Sequence, residues 1–119
     1  NANTYVLNNY AYFLSVRKVK LDRALEMSAK TLETSPESAT YLDTYGWILF
    51  QLGKYTEALE QLEKAVIRDT ESAEVTEHYA DALFKTGKIN EAVEQWKKAK
   101  EQGGDALRLD QKIRERKIK

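Results

Sequence analysis

The chain has 119 residues, which suits one domain with a core of its own, and its 19 basic and 19 acidic residues cancel in charge. This balance excludes a general electrostatic attraction to nucleic acid or to an anionic membrane. The chain contains no cysteine, so disulfides and thiolate chemistry are excluded as well.

The composition predicts an all-α fold. One proline and five glycines leave long windows for helices, and good helix formers such as Ala, Leu, Glu and Lys are abundant. The longest apolar runs fall far short of the roughly 18 residues needed to cross a membrane, so we expect no membrane insertion. The chain begins with Asn and shows no signal peptide, and we interpret it as a piece of a longer protein.

A repeat with a period of 34 residues organises the chain. The stretch GKYTEALEQLEKA at 53–65 returns as GKINEAVEQWKKA at 87–99, with eight of thirteen letters identical. The opposite shift aligns a third, degenerate copy with the start of the chain. We expect a single domain over residues 1–119, divided into repeat 1 at about 4–38, repeat 2 at about 39–72, repeat 3 at about 73–102 and a capping helix at about 105–117.

Each repeat is predicted to be a pair of antiparallel helices joined by a tight turn. In repeat 1 the turn around 17–20 lacks the glycine of the later copies and is one residue longer, so we expect it to be looser. In repeat 2, apolar residues recur at helical spacing on both sides of Gly53. Small residues such as Gly46 let helices approach closely. Larger residues are expected to fill the space between helices: Tyr10, Tyr45, Leu62 and Trp96.

These spacings resemble the tetratricopeptide repeat. The middle copy runs L-x2-Y-G-x2-L from Leu42 and then A-x3-L from Ala58, and the third copy has A-x3-W from Ala92. The resemblance covers about residues 4–102, and the degenerate first unit is similar to the C-terminal repeat segment of larger bacterial members of the family. It implies a right-handed α-α superhelix of three hairpins, with a concave face that binds a protein or peptide segment.

The tail after repeat 3 is predicted to form the capping helix. Two glycines at 103–104 end the preceding helix, and Asp105 caps the new one. One apolar face can cover the open end of the stack: Ala106, Leu109 and Ile113. Residues 108–119 include six bases and two acids, and we interpret them as the solvated face of this helix rather than as a nucleic-acid site.

Residues suited to catalysis or metal binding are scarce. His78 is the single histidine, and we interpret it as a polar residue on an exposed helix face. Metal-binding motifs are missing from the sequence, and Gly53 and Gly87 stand alone in turns, unlike the clustered glycines of a phosphate cradle. We therefore expect no enzyme activity, no metal and no cofactor.

The resemblance places the first helix of each hairpin on the concave face, with an exposed stripe beside its buried one. Nine residues of these stripes form the predicted partner-binding set: Tyr5, Asn8, Tyr12, Asp43, Trp47, Phe50, Glu74, Glu77 and Asp81. The set contains four acids and no base, which disfavours a terminal carboxylate and favours a segment with apolar and basic side chains. Phe50 has a second interpretation, in which it packs against the next repeat.

Two other roles stay open alongside segment binding. One is a structural end cap of a longer scaffold. The other is a weak homo-oligomer, in which the uncapped first hairpin buries Tyr5, Leu7 and Tyr12 against a second copy. The sequence identifies neither the partner protein nor the compartment.

Overall fold

Seven α-helices make up the computed structural model, which describes residues 2–118. They are α1 (Ala2–Arg17), α2 (Leu21–Thr34), α3 (Ala39–Gln51), α4 (Tyr55–Arg68), α5 (Ala73–Lys85), α6 (Ile89–Glu101) and α7 (Ala106–Glu115). Residues 2–118 contain no strand, so the predicted all-α class is confirmed. Over the same range, no helix has both the length and the apolar character that a membrane crossing requires.

Consecutive helices pair into three hairpins, α1–α2, α3–α4 and α5–α6, and α7 packs on α6. Neighbouring hairpins are joined through α2 with α3 and α4 with α5, while α1 contacts α3 and α3 contacts α5. The result is an elongated stack of 40 × 25 × 22 Å. We call the side formed by the first helices α1, α3 and α5 the inner face.

The turn of the first hairpin lacks the glycine that the other two turns contain. Gly53 and Gly87 follow α3 and α5 with φ angles of 81° and 89°, a conformation that costs glycine little. The first hairpin places Lys18 and Lys20 in the same left-handed region, at φ 56° and 48°. A left-handed backbone costs a residue with a Cβ roughly 1–2 kcal/mol, so the first turn is the strained one of the three.

Small residues at the helix crossings allow close packing. A Cβ on Gly46 would lie 2.7 Å from Cγ of Leu62, which is fully buried, and Tyr45 packs against the same cluster. Trp96 is fully buried in a cluster that joins α5, α6 and α7. The predicted filling role is thus confirmed for Leu62 and Trp96. It is wrong for Tyr10, which is 48% exposed on a side of α1 that no other helix of residues 2–118 covers.

The helix α7 covers the end of the stack. Oδ1 of Asp105 accepts a backbone N–H of the first turn at 3.0 Å, which confirms the predicted cap. Leu109 is fully buried and Ile113 packs against the same cluster, so the covering role is confirmed for both. Ala106 is exposed and its predicted place in this face is wrong, because the buried face of α7 centres on Leu109 and Lys112.

Gly46→Ala is expected to lower the free energy of unfolding by about 1–3 kcal/mol, because the added methyl overlaps the Leu62 side chain. Leu62→Ala alone is expected to cost about 2–5 kcal/mol. In the Leu62→Ala background the overlap is gone, so Gly46→Ala should cost less than about 0.5 kcal/mol. Urea denaturation of the four chains measures this coupling, and additive losses would contradict the contact.

Candidate functional site

Two cavities open on the inner face. The larger, of about 630 Å³, lies between α3, α5 and α7, and we call it the central groove. The smaller, of about 180 Å³, lies between α1, α3 and α5. We call it the polar recess, because every lining residue except Val75 has a polar side chain.

The cavities bring together eight of the nine residues predicted to bind a partner. The central groove is lined by Trp47, Phe50, Glu74, Glu77 and Asp81, and the polar recess by Asn8, Tyr12, Asp43 and again Glu74. Tyr5 lines neither cavity and is 62% exposed near the start of α1. Sequence reasoning missed Arg108 and Lys112, which also line the central groove.

An aromatic stack forms the α3 wall of the central groove. The indole of Trp47 lies between two rings, with centroid distances of 4.6 Å to Phe50 and 3.9 Å to His78 and interplanar angles of 12° and 17°. Phe50 also meets Tyr55 of its own hairpin edge-on at 5.1 Å. Both faces of Trp47 are therefore covered, and a molecule in the groove meets the edge of the indole rather than its face.

His78 is buried, with 8% of its surface accessible, so its predicted place on an exposed face is wrong. Its Nδ1 lies 2.9 Å from a carboxylate oxygen of Asp43, and its ring lies on Trp47. Burial lowers the pKa of a histidine, but the adjacent Asp43 carboxylate outweighs this effect and raises the pKa of His78 above 6.5. Asp43 and His78 therefore form a buried hydrogen-bonded pair that links α3 to α5, and it is an ion pair when the imidazole is protonated.

Two acids of the α5 stripe, Glu77 and Asp81, are buried and paired with cations of α7, whereas Glu74 is exposed. Glu77 accepts hydrogen bonds from Arg108 at 2.7 and 2.8 Å and from Nζ of Lys112 at 2.6 Å. Asp81 accepts hydrogen bonds from Lys112 at 3.1 Å and from the indole N–H of Trp96 at 2.9 Å. Burial raises the pKa of Glu77, but the hydrogen bonds from Arg108 and Lys112 outweigh it and lower this pKa to about 2.

This network corrects three predictions. Four residues expected on exposed stripes are at most 7% exposed: Asn8, Asp43, Glu77 and Asp81. The central groove does not have acids alone, because Arg108 and Lys112 bring cations into it. Lys112 is 8% exposed and belongs to the buried face of α7, so the basic tail is not simply a solvated surface. A single helix examined alone cannot show burial that its neighbours impose.

A fixed spacing relates the two buried pairs to the repeat. Asp43 and His78 are 35 residues apart, and so are Glu77 and Lys112. This spacing is one more than the 34-residue period. Each acid on a first helix therefore contacts a base that lies one residue after the equivalent position of the following unit. The helix α7 therefore stands where the first helix of a fourth repeat would lie. A comparison of positions one residue off the period could have found both pairs.

The polar recess contains a buried acceptor that the protein does not satisfy. Asn8 is 2% exposed, and its Oδ1 has no hydrogen-bond partner among residues 2–118. Nearby, the Tyr12 hydroxyl donates to Oε2 of Glu74 at 2.9 Å. Burial and the Glu74 carboxylate raise the pKa of Tyr12 well above its usual value, so this phenol stays protonated.

The ionisable side chains near the cavities do not build a metal centre. In the described range, no three His, Cys, Asp or Glu residues are arranged to hold a metal ion. The acids of the inner face instead interact with histidine, lysine and arginine.

A family model described as anaphase-promoting complex, cyclosome, subunit 3 matches residues 18–102. An O-GlcNAc transferase variant from Thermobaculum terrenum has a TM-score of 0.87 and 19% identity, over 97% of this chain and 22% of that chain. The type III secretion chaperone SycD of Yersinia enterocolitica, in complex with a peptide of the translocator YopD, has a TM-score of 0.84 and 15% identity, over 98% and 93% of the two chains. No curated protein matches this chain in sequence.

The second TPR domain of human RPAP3, in complex with an HSP70 peptide, has a TM-score of 0.82 and 17% identity, over 99% of this chain and 98% of that chain. At such identities the three structures show a common fold and nothing finer. The family model covers most of the three hairpins, and the 34-residue period and the stacked helices agree with it. The chain therefore belongs to the tetratricopeptide repeat family.

Proposed function

We propose that the chain is a protein-interaction module, which holds an extended protein or peptide segment along its inner face without catalysis. The observation that carries this proposal is the central groove of about 630 Å³, where the aromatic wall of Trp47 and Phe50 lies across from the paired charges of Glu77 and Arg108. Aromatic anchors beside satisfied polar groups are typical of surfaces that bind protein segments.

The charges of the groove define which side chains it accepts. Its lining includes three acids, but Glu77 and Asp81 are already paired with Arg108 and Lys112, and further cations come from two lysines at 18 and 117. A strongly basic segment gains little there. The groove suits an apolar or aromatic side chain against the indole edge, flanked by polar groups.

The nine predicted residues contribute to binding in two ways. Tyr5, Tyr12, Trp47, Phe50 and Glu74 are proposed to contact the segment directly, because they keep accessible surface. The four buried ones are proposed to shape the walls and to hold the helices in register: Asn8, Asp43, Glu77 and Asp81. Two proteins of similar fold are bound to peptides, human RPAP3 to one from HSP70 and SycD to one from YopD, which supports this use of the fold.

An exposed apolar face on the first hairpin favours a second candidate, self-association or contact with a further repeat of a longer scaffold. Five large side chains on α1 are between 48% and 63% exposed: Tyr5, Val6, Tyr10, Phe13 and Val16. Leu7 and Tyr12, expected at such an interface, are half-buried within the stack. Contiguous exposed apolar surface of this kind marks interaction sites.

Trp47→Ala is expected to weaken segment binding at least about tenfold, because the indole edge is the central apolar surface of the groove. The ligand is a peptide selected from a displayed random library on the wild-type chain, and fluorescence polarisation measures its affinity. Ile67→Ala is the matched control, because Ile67 is 65% exposed on α4 and lines neither cavity. Segment binding in the central groove would be refuted by either of two results. One is a Trp47→Ala chain that stays helical and binds the peptide within twofold of the wild-type affinity, and the other is a library that yields no binders.

Acidification is expected to destabilise the chain through Glu77. Folding lowers the pKa of Glu77 from 4.5 to about 2. The stabilisation by its ion pairs is therefore complete above about pH 4.5 and is lost as the pH falls towards 2. Urea denaturation between pH 6 and pH 2 should show a shallower loss for Glu77→Gln than for wild type. Glu60→Gln, at an exposed position of α4, should keep the wild-type slope. Equal slopes in all three chains would contradict the network.

Phe13→Glu is expected to abolish any concentration-dependent association of the chain, because it places a charge in the middle of the exposed α1 face. Light scattering after gel filtration, over a hundredfold range of concentration, measures the mass. A wild-type chain that stays monomeric throughout, or an oligomer that Phe13→Glu leaves intact, would remove self-association through α1 as a candidate.

A further inference from the structure

The aromatic wall of the central groove is supported by a histidine from another hairpin. The imidazole of His78 lies against the indole of Trp47 with a centroid distance of 3.9 Å and an interplanar angle of 17°. Phe50 covers the opposite face of the indole at 4.6 Å. Trp47 and Phe50 both belong to α3, whereas His78 belongs to α5. The position of the indole between the two helices therefore depends on its contact with His78.

The strength of this contact depends on the charge of the imidazole. A neutral imidazole offers the indole ring stacking alone. An imidazolium adds a cation–π attraction, which is strongest for tryptophan among the aromatic side chains and increases when the site is shielded from water. His78 is 8% exposed, and 3.9 Å is well inside the roughly 6 Å over which this attraction acts. Protonation of His78 therefore strengthens its hold on Trp47.

A carboxylate at the edge of the imidazole favours the charged form. Nδ1 of His78 lies 2.9 and 3.2 Å from the two carboxylate oxygens of Asp43. Asp43 is itself 4% exposed, so salt screens this interaction much less than one at the surface. Burial lowers the pKa of His78, but Asp43, by its charge and its hydrogen bond, contributes most to raising this pKa above 6.5. The pair that links α3 to α5 thus also keeps a proton on the ring that supports Trp47.

The other ionisable groups around His78 leave this preference in place. Glu74 and Asp81, on α5 itself, also raise the pKa of His78. The hydroxyl of Tyr12 on α1 donates to Glu74 and stays protonated, so it adds no charge. Neither α4 nor α6 contributes a residue to the lining of the central groove. The cations of the lining are two that are hydrogen-bonded to acids of α5 and two that are exposed: Arg108 and Lys112, and Lys18 and Lys117.

We propose that His78 in its charged form is a positioning residue of the central groove, which holds the indole of Trp47 where a bound segment meets its edge. This inference rests on the proposed function, since it requires a segment in the groove. When the imidazole loses its proton, the indole is held less tightly and has to be ordered as the segment binds, which lowers the affinity. The groove is therefore expected to bind its segment more tightly below the pKa of His78 than above it.

NMR spectroscopy of the full chain tests the contact without any ligand. His78 is the only histidine of the 119 residues, so its ring signals are unambiguous in aromatic ¹H–¹³C spectra. The ring signals of Trp47 are identified by their loss in Trp47→Ala. The midpoint of the His78 titration is expected above pH 6.5, and the Trp47 ring signals are expected to move with the same midpoint. Asp43→Asn should lower the midpoint, and the Trp47 signals should follow it to the lower value.

Fluorescence polarisation measures the consequence for binding, with a library-selected peptide that has a blocked amino terminus and no group that titrates near the midpoint. The wild-type affinity is expected to be at least about threefold higher one pH unit below the midpoint than one unit above it. In Asp43→Asn the change should occur at the lower midpoint of that variant. The double variant Asp43→Asn/His78→Phe keeps a ring on the indole, removes the charge and strands no buried carboxylate, so its affinity should not change with pH. If the double variant does not fold, the comparison of wild type with Asp43→Asn decides.

Four results would overturn the positioning role of His78. They are a His78 midpoint at or below pH 6.5, Trp47 signals that do not follow that midpoint, an affinity that is equal on both sides of it, and an equal pH dependence in the double variant. These failures differ from a failure of the proposed function, because peptide binding that still depends on Trp47 would keep the groove as the binding site. Binding that Trp47→Ala leaves unchanged would refute segment binding in the groove, while the NMR titration reports on the contact of the two rings separately.

Discussion

Two carboxylates of α5 are almost sealed from water, and this constraint connects the end of the chain to its middle. An ionised carboxylate in such a place is strongly unfavourable unless cations donate hydrogen bonds to it. Arg108 and Lys112 supply them to Glu77, and Lys112 also reaches Asp81. Removing one partner of a buried pair typically costs about 3–5 kcal/mol, so α7 is held in place by charge as well as by the burial of Leu109.

The junction between α3 and α5 has the same geometry, whereas the junction between α1 and α3 lacks it. Asp43 and His78 link α3 to α5 as Glu77 and Lys112 link α5 to α7. Repeat 1 is one residue longer than the later copies. The corresponding positions between α1 and α3 are therefore Asn8 and Thr44, and both side chains are neutral. There the amide oxygen of Asn8 is left without a partner and the polar recess stays open. The first junction therefore lacks the paired acid and base that link the two later junctions.

Sequence reasoning predicted the parts of the fold that depend on one helix pair at a time. The 34-residue period and the apolar spacing predict the hairpins, and the filling roles of Leu62 and Trp96 follow from positions inside a single hairpin. The position of α7 depends on how a short helix after two glycines turns back onto α5. No local pattern specifies that register, so the sequence predicts a solvated basic tail and an acidic groove that Arg108 and Lys112 do not reach.

His78 and Tyr10 show, in opposite ways, that the residue pattern of one helix does not predict burial. His78 is polar, and its own helix offers no reason to bury it; Asp43 and Trp47 on the neighbouring helix provide that reason. Tyr10 follows the spacing of a core residue, yet it is exposed because the described chain has no helix over that side of α1. Helical periodicity gives the direction of a side chain on its helix, whereas burial depends on what packs against that side.

A double-mutant cycle on Glu77 and Lys112 tests the central claim most directly, that buried charge pairs hold successive first helices and α7 together. Glu77→Gln and Lys112→Met, alone and combined, are compared by urea denaturation at pH 7. The account predicts a coupling of about 1–3 kcal/mol, because the second substitution relieves the charge that the first leaves stranded. Losses that add to within about 0.5 kcal/mol would show that the pair contributes no more than an exposed one, and would contradict the account.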